Sequence, residues 1–128
     1  MALASTTTSL APPAAPRPQI LTAEAILTRY PILRRIAACE STGSVDGTPR
    51  QFRDDGSPLW GNDVKTGKPI HRDVGIFQIN TKAHADEISK LGLDVINNED
   101  DNANYALMLY ERNGTRDWDA SKMCWSML

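Results

Sequence analysis

The sequence predicts an α+β domain in which helices dominate and one small β-region interrupts them. Helical patterns with recognisable capping residues occupy residues 20–43 and 81–114. Between them, residues 43–73 contain five glycines and three prolines, a composition that favours short strands and turns over helices. The chain of 128 residues is long enough for one modest core and too short for two.

The first helical stretch is predicted to form two helices that meet at a proline. Thr22 is a suitable N-cap, and Glu24 suits the positive end of the first helix dipole. Pro31 disfavours helical geometry at Tyr30, so the first helix should end there and the second should begin with the proline in its first turn. Gly43 is suited to a left-handed C-cap that ends the second helix.

The later part of the chain is predicted to form two more helices. Thr81 is expected to cap one that runs to about Leu91. Asn98 is expected to cap another that runs to Arg112, with Gly114 ending it. The segment VGIFQI, residues 74–79, precedes them and is predicted to be a strand or a bend running into the next helix.

The two ends of the chain differ in character. Residues 1–19 are small, Thr-rich and then Pro-rich, which predicts a disordered or extended linker before a folded domain at residues 20–128. That segment lacks the charged start and long apolar block of a signal peptide. At the other end, Trp118 and Trp125 are expected to pack against the core.

Several classes of function are disfavoured by composition. The net charge of −2 provides no basic footprint for nucleic acid, and no window reaches the length of a transmembrane helix. No glycine-rich phosphate loop and no nucleophile elbow are present, and His71 and His84 have no third metal ligand at a typical spacing. We therefore expect no metal and no organic cofactor. Two cysteines, Cys39 and Cys124, are ambiguous on their own.

Two carboxylates are candidates for general acid–base chemistry. Glu40 lies at the end of an amphipathic helix, where it would face the β-region, and burial there would raise its pKa as a general acid requires. Asp73 precedes the apolar strand and could point into a cleft as the second carboxylate that many glycosidases use. Spacing alone favours simpler alternatives, a solvated glutamate at a helix end and an aspartate in a turn.

Two amides interrupt the apolar run RDVGIFQIN at residues 72–80. Gln78 and Asn80 need hydrogen-bond partners if they are buried, and the hydroxyls and N-acetyl groups of a sugar would supply them. Bonds to the nearby backbone are the alternative, with Asn80 capping the following helix. Spacing does not decide between the two.

Three segments together resemble the lysozyme-like superfamily, in particular lytic transglycosylases of the soluble-lytic or invasion-associated type. They are CESTG at 39–43, DVGIFQIN at 73–80 with His84 four positions beyond, and NNEDDNANYALMLYERNG at 97–114. The resemblance covers roughly residues 31–125. It implies a lysozyme-like fold with a small β-wing forming a sugar-binding cleft. It also implies cleavage of the β-1,4 bond between N-acetylmuramic acid and N-acetylglucosamine in peptidoglycan.

The resemblance assigns roles to individual residues. Glu40 matches the catalytic acid, and Ser41 matches a serine that orients the substrate's N-acetyl group. The residues that match the motif lining the sugar cleft are Gly75, Gln78, Ile79 and Asn80, and His84 is grouped with them as substrate-binding.

A likeness to chicken-type lysozymes places Asp73 on their second catalytic carboxylate. Asp73 lies farther beyond Glu40 than the equivalent pair does in those proteins, which implies a larger wing. Asp54, Asp55 and Asp63 in that wing are alternative second carboxylates. Cys39 resembles a cysteine of the resuscitation-promoting factors, which implies a disulfide with Cys124.

These likenesses leave the reaction open. A lytic transglycosylase would form a 1,6-anhydro product with Glu40 alone, whereas a hydrolase would use Asp73 and water, and the Glu-Ser pair favours the former. A non-enzymatic peptidoglycan-binding or wall-assembly module is the alternative function, and chitin is a weaker alternative substrate. We expect a monomer that acts on glycan strands outside the cytoplasm, without binding nucleic acid or inserting into a membrane.

Overall fold

The computed structural model describes residues 20–63 and 65–127, and the predicted linker at residues 1–19 lies outside them. The helices of the described part are α1 (Ala23–Arg29), α2 (Pro31–Thr42), α3 (Ala85–Leu91), α4 (Glu99–Asn113), a 3-10 helix (Arg116–Ser121) and α5 (Lys122–Trp125). Its strands are β1 (Trp60–Asn62), β2 (Pro69–Val74) and β3 (Ile79–Asn80), which form one antiparallel sheet in that order. The predicted α+β class with dominant helices is confirmed.

The break between the first two helices lies where the sequence predicts it. The Thr22 hydroxyl accepts a hydrogen bond from the Ala25 amide at 3.1 Å, and α1 ends before Tyr30. Pro31 then opens α2, and Gly43 ends it with a φ of 79°. These local predictions are confirmed because capping and proline geometry act over only a few residues.

The segment at residues 74–79 contains both predicted conformations, because Val74 ends β2, residues 75–78 form a bend and Ile79 begins β3. The bend therefore runs into a strand and not into the next helix. Two buried amides from distant parts of the chain hold this bend. Gln51 Oε1 accepts a bond from the Ile76 amide at 2.9 Å, and Asn102 Oδ1 accepts one from the Phe77 amide at 3.1 Å. Gly75 has a φ of 82°, and a Cβ there would lie 2.4 Å from both side-chain amides. Only glycine permits so close an approach.

The prediction that Thr81 caps α3 is wrong, because that helix begins at Ala85 with His84 in the N-cap position. The Thr81 hydroxyl instead donates to the Arg72 carbonyl at 2.8 Å and joins the turn to β2. Asn80 satisfies the free amides of this turn, as described below. The prediction for α4 is confirmed, since Asn98 caps it and Gly114 follows its last residue.

The core lies between α1, α2, α4 and the bend after β2, and both predicted tryptophans belong to it. Trp118 and Trp125 are 3% and 4% exposed. Cys39 and Cys124 form a disulfide with a Cα–Cα distance of 6.0 Å, which confirms the implied pairing. The disulfide ties the end of α2 to α5 across 85 positions of sequence. None of the described helices is both long and apolar enough to cross a membrane.

Replacing Gly75 with alanine should lower the free energy of unfolding by about 3 kcal/mol or more. The added Cβ would displace two buried amides from their partners, in addition to a left-handed backbone cost of about 1–2 kcal/mol. Gly56→Ala is the matched control, because Gly56 has a similar φ of 87° and a Cβ added there would meet nothing within 4 Å. Urea unfolding of both variants measures the difference. Equal losses in the two variants would contradict the close packing at Gly75.

Removing the disulfide with the double variant Cys39→Ala, Cys124→Ala should lower the free energy of unfolding by about 4–5 kcal/mol. The chain-entropy model gives this value for a closed loop of the observed length, because the crosslink restricts the unfolded chain. Urea unfolding without reductant measures the loss. As a control, reductant should destabilise the wild-type protein and leave the double variant unchanged. A loss of less than about 1 kcal/mol would contradict the entropic role of the crosslink.

Candidate functional site

A cleft runs between the helices and the wing, which we define as residues 44–80, and Glu40 stands in its middle. On one side of Glu40 is a space that we call the main groove, with a volume of about 420 Å³. Six of the sequence-predicted site residues line it: Glu40, Asp73, Gln78, Ile79, Asn80 and His84. On the other side is the wing hollow, about 310 Å³ in volume, whose lining includes Glu40, Ser41, Arg50, Arg53, Trp60 and Gln78. Because Glu40 and Gln78 border both spaces, an extended ligand could pass across them.

Glu40 occupies the last turn of α2 and is partly buried, with its carboxyl facing the cleft. Burial raises the pKa of Glu40 above its ordinary value, and the negative charge of Asp73 raises it further. A hydrogen bond that the Ser121 hydroxyl donates to Glu40 Oε2 opposes part of this increase. Glu40 therefore keeps its proton to higher pH than an exposed glutamate does, as a general acid must.

The bond from Ser121 is oriented by the C-terminal helices. The Trp125 indole Nε1 donates to Ser121 Oγ at 3.1 Å, which occupies one acceptor position of the hydroxyl. The single proton of that hydroxyl has two acceptors, the closer Glu40 Oε2 and the Trp118 carbonyl at 3.2 Å. The disulfide joins Cys39, the residue before Glu40, to Cys124, which lies three positions after Ser121. The helix that carries Glu40 is therefore covalently linked to the segment that carries its hydrogen-bond donor.

Asp73 lies on β2, in register with Asn80 of β3, and faces the same groove as Glu40. Its carboxylate is half-buried and is paired with its neighbour Arg72. Arg72 Nη2 lies 3.2 Å from Asp73 Oδ2, and Arg72 Nε lies 3.4 Å from Asp73 Oδ1. The structure thus brings the two sequence-predicted carboxylates to one groove, with one of them engaged by a guanidinium.

The three alternative carboxylates of the wing line neither space. Asp54 is fully exposed and is paired with Arg50 at 3.2 Å. Asp55 accepts bonds from the amide and hydroxyl of Ser57 at 2.9 and 2.6 Å. Asp63 accepts the amides of residues 65 and 66 at 2.7 and 3.0 Å. All three stabilise turns or exposed pairs, so Asp73 alone of the four candidates from the sequence lines the main groove.

The side-chain amides of Gln78 and Asn80 are bonded to the backbone, which is one of the two alternatives that the sequence left open. The accompanying prediction that Asn80 caps α3 is wrong, because Asn80 bonds the turn that precedes that helix. Gln78 has a φ of 50°, and its Nε2 donates to the carbonyls of Leu59 and Gly75, both at 3.0 Å. Asn80 Oδ1 accepts the amides of Lys82 and Ala83 at 3.1 and 3.0 Å. Among the described residues nothing bonds Gln78 Oε1 or Asn80 Nδ2, so these atoms remain available to a ligand.

Ser41 and Gly75 are predicted site residues whose groups serve the protein's own structure. Ser41 is buried; its hydroxyl donates to the Ala37 carbonyl at 2.8 Å and accepts the Arg50 amide at 3.0 Å, which anchors the wing to α2. Gly75 is buried and lines neither space. His84 does line the main groove, with its ring edge-to-face against Tyr105 at a centroid distance of 5.4 Å.

Several residues of the cleft were not predicted from the sequence as site residues. Trp60 is half-buried in the wing hollow, and Trp118 and Asp117 line the main groove. A tryptophan inside a segment rich in glycine and proline is a signal that could have identified Trp60, because such loops bury few large aromatics. Ser121 carries no comparable signal. Within the described residues, no group of three or more His, Cys, Asp or Glu side chains could hold a metal ion.

Comparison of the chain with protein-family models, with curated proteins and with solved structures found no match. The function is therefore inferred from the geometry of the cleft and from the sequence resemblance described above.

Proposed function

We propose that this protein has a lysozyme-like fold and cleaves the β-1,4 bond between N-acetylmuramic acid and N-acetylglucosamine in peptidoglycan. The observation that carries the proposal is the partly buried carboxyl of Glu40, which has a raised pKa and stands where the main groove and the wing hollow meet. A glycosidase needs such an acid beside a groove that holds several sugars. Glu40 protonates the glycosidic oxygen as the bond from that oxygen to the anomeric carbon breaks.

Two routes complete the reaction after the leaving group departs. In the transglycosylase route the substrate's own N-acetyl oxygen stabilises the positive sugar centre. Deprotonated Glu40 then takes the proton of the muramic 6-hydroxyl, and O6 bonds to the anomeric carbon to give a 1,6-anhydro end. In the hydrolase route Asp73 stabilises or traps the sugar centre, and water supplies the new hydroxyl.

The pairing of Asp73 supports the transglycosylase route. Both of its oxygens are bonded to Arg72, so the guanidinium competes with any positive sugar centre for the carboxylate. The pair is partly exposed and is screened by solvent, so the competition is modest. The route that requires only Glu40 does not meet this competition.

An extracytoplasmic location accompanies the proposal. The disulfide between Cys39 and Cys124 requires an oxidising compartment to form and persist. Peptidoglycan also lies outside the cytoplasmic membrane. Glycan strands are the proposed partner, and the protein acts as a monomer.

Replacing Glu40 with glutamine should lower turnover of purified peptidoglycan by about 10²-fold or more, because the amide cannot donate the catalytic proton. Binding of the glycan should be largely retained. Turnover is measured by release of soluble fragments and binding by co-sedimentation with the wall. Asp117→Asn, a change of the same kind in the same groove, is the matched control and should remain active. An active Glu40→Gln variant would remove the basis of the proposal.

The products of the wild-type enzyme distinguish the two routes. Mass spectrometry should find anhydro ends, which are lighter than reducing ends by one water. Asp73→Asn should then retain most of the activity, since this route does not use that carboxylate as a nucleophile. Reducing ends, together with an inactive Asp73→Asn variant, would instead establish the hydrolase. Intact glycan that remains bound to the protein would contradict both routes.

The raised pKa of Glu40 also predicts how stability depends on pH. An unfolded glutamate releases its proton near the ordinary value of 4.5, whereas the folded protein holds that proton to higher pH. The contribution of Glu40 to the free energy of unfolding is therefore fully present below pH 4.5. It is lost as the pH rises through the pKa that Glu40 has in the folded protein.

Glu40→Gln should accordingly be more stable than wild type at pH 7, and the difference should shrink toward pH 4. Urea unfolding across this range measures it, with the exposed Glu111→Gln as a control for removing one negative charge.

Ser121→Ala removes the bond that lowers the pKa of Glu40, so it should shift the alkaline limb of the activity profile to higher pH. An unchanged profile in Ser121→Ala would contradict the coupling.

A further inference from the structure

The two sides of the cleft differ in charge. The wing hollow is lined by two arginines, Arg50 and Arg53, and its one acidic residue is Glu40, which it shares with the main groove. The main groove contains Asp73 and Asp117, with Arg72 already paired to Asp73. An anionic group on an extended ligand would therefore be attracted to the wing hollow and repelled by the main groove.

Arg53 is the more available of the two arginines. Arg50 is exposed and is paired with Asp54 at 3.2 Å. Arg53 is half-buried, and no carboxylate of the described residues forms an ion pair with it. The exposed Asp55 lies nearby, but its pKa is lowered mainly by hydrogen bonds from Ser57 and only to a smaller extent by the charge of Arg53.

The backbone fixes the position of Arg53 in the wall of the hollow. Its amide donates to the Ser57 carbonyl at 2.8 Å, and its carbonyl accepts the Gly56 amide at 2.9 Å, which closes a tight turn. Trp60 lines the same hollow, where its ring lies edge-to-face against His71 at a centroid distance of 5.2 Å. A hollow lined by both a guanidinium and an aromatic side chain suits a ligand that carries a carboxylate on a sugar.

We propose that Arg53 binds a carboxylate of the substrate in the wing hollow and thereby selects muramic-acid-containing glycan over uncharged chitin. This inference rests on the proposed function, and it adds a specificity-determining residue to it. The carboxylate could belong to the lactyl group of muramic acid or to its stem peptide. Both present the same chemistry to the guanidinium, so the experiment must separate them.

The test measures binding of defined oligosaccharides to the full chain carrying Glu40→Gln, by calorimetry, so that no ligand is consumed. One pair of ligands is a peptide-free muramic oligomer with a free lactyl carboxylate and its lactyl amide. A second pair is a peptide-bearing oligomer, with its lactyl group in amide linkage, and the same oligomer with its peptide carboxylates amidated. Chitotetraose is the ligand that has no carboxylate. Arg53→Gln and Arg53→Lys are compared with Arg34→Gln, which removes an equal charge from the exposed side of α2.

In at least one pair of ligands, the oligomer with the free carboxylate should bind about tenfold more tightly than its amide. A ratio of this size is expected of one charge-assisted hydrogen-bonded pair. Arg53→Gln should remove that ratio, Arg53→Lys should retain part of it, and Arg34→Gln should retain all of it. The ratio should also decrease as salt rises from about 0.05 to about 0.5 M. The pair that shows the ratio identifies the source of the carboxylate.

Equal binding within both pairs, or a ratio that survives Arg53→Gln, would overturn the role of Arg53. The absence of measurable binding by any of these ligands would overturn it as well. Turnover by the wild-type protein is scored separately. Cleavage without charge selectivity would refute only the carboxylate site, whereas selectivity that depends on Arg53 without cleavage would support this site and refute the proposed reaction.

Discussion

The desolvation of one carboxyl group, that of Glu40, is the constraint on which the site depends. Three separate parts of the chain must surround it: the last turn of α2, the strand that carries Asp73, and the C-terminal helices that supply Ser121. Burying an ionisable group destabilises its charged form, so the rest of the fold must compensate. The disulfide from the adjacent Cys39 contributes to that compensation at the position where it is needed, because it holds the C-terminal helices against α2.

The opposite wall of the cleft depends on a second buried polar arrangement. The side-chain oxygens of Gln51 and Asn102 accept the Ile76 and Phe77 amides of the bend after β2, and Gly75 allows both side chains to approach it. Their amide nitrogens donate to backbone carbonyls outside the bend. The bend directs the chain into β3, which places Gln78 and Asn80 on the groove. A fully bonded buried network of this kind is rigid, because every departure leaves a polar group without a partner. The cleft is therefore formed by two rigid surfaces, of which only one carries the acid.

The features that the sequence predicts correctly are local. Thr22, Pro31, Asn98 and Gly114 act on backbone within four residues, so their effects can be read without knowing the tertiary structure. Thr81 does not cap α3, because the side chain of the preceding Asn80 accepts the free amides of the turn. The Thr81 hydroxyl donates to the Arg72 carbonyl instead.

Ser121 could not be predicted as a partner of Glu40, since 81 positions separate them and only the packed core brings them together. The disulfide was predicted only through the resemblance to a family, because the order of the family's motifs carries information about long-range contacts. The wing amides show the limit of pattern alone, because the same polar residues suit a sugar and a backbone equally well.

Asp73 links the proposed acid–base chemistry to the charge distribution of the cleft. Its negative charge raises the pKa of Glu40, yet the same charge would repel an anionic substrate from the main groove. Arg72 moderates this repulsion by pairing with Asp73 at the surface, and Arg53 provides an attractive position on the other side of Glu40. A charged polymer would then be held with its carboxylate away from Asp73 while a glycosidic bond lies at Glu40. In the proposed reaction, the protonation of Glu40 and the register of the glycan would then have a common electrostatic origin.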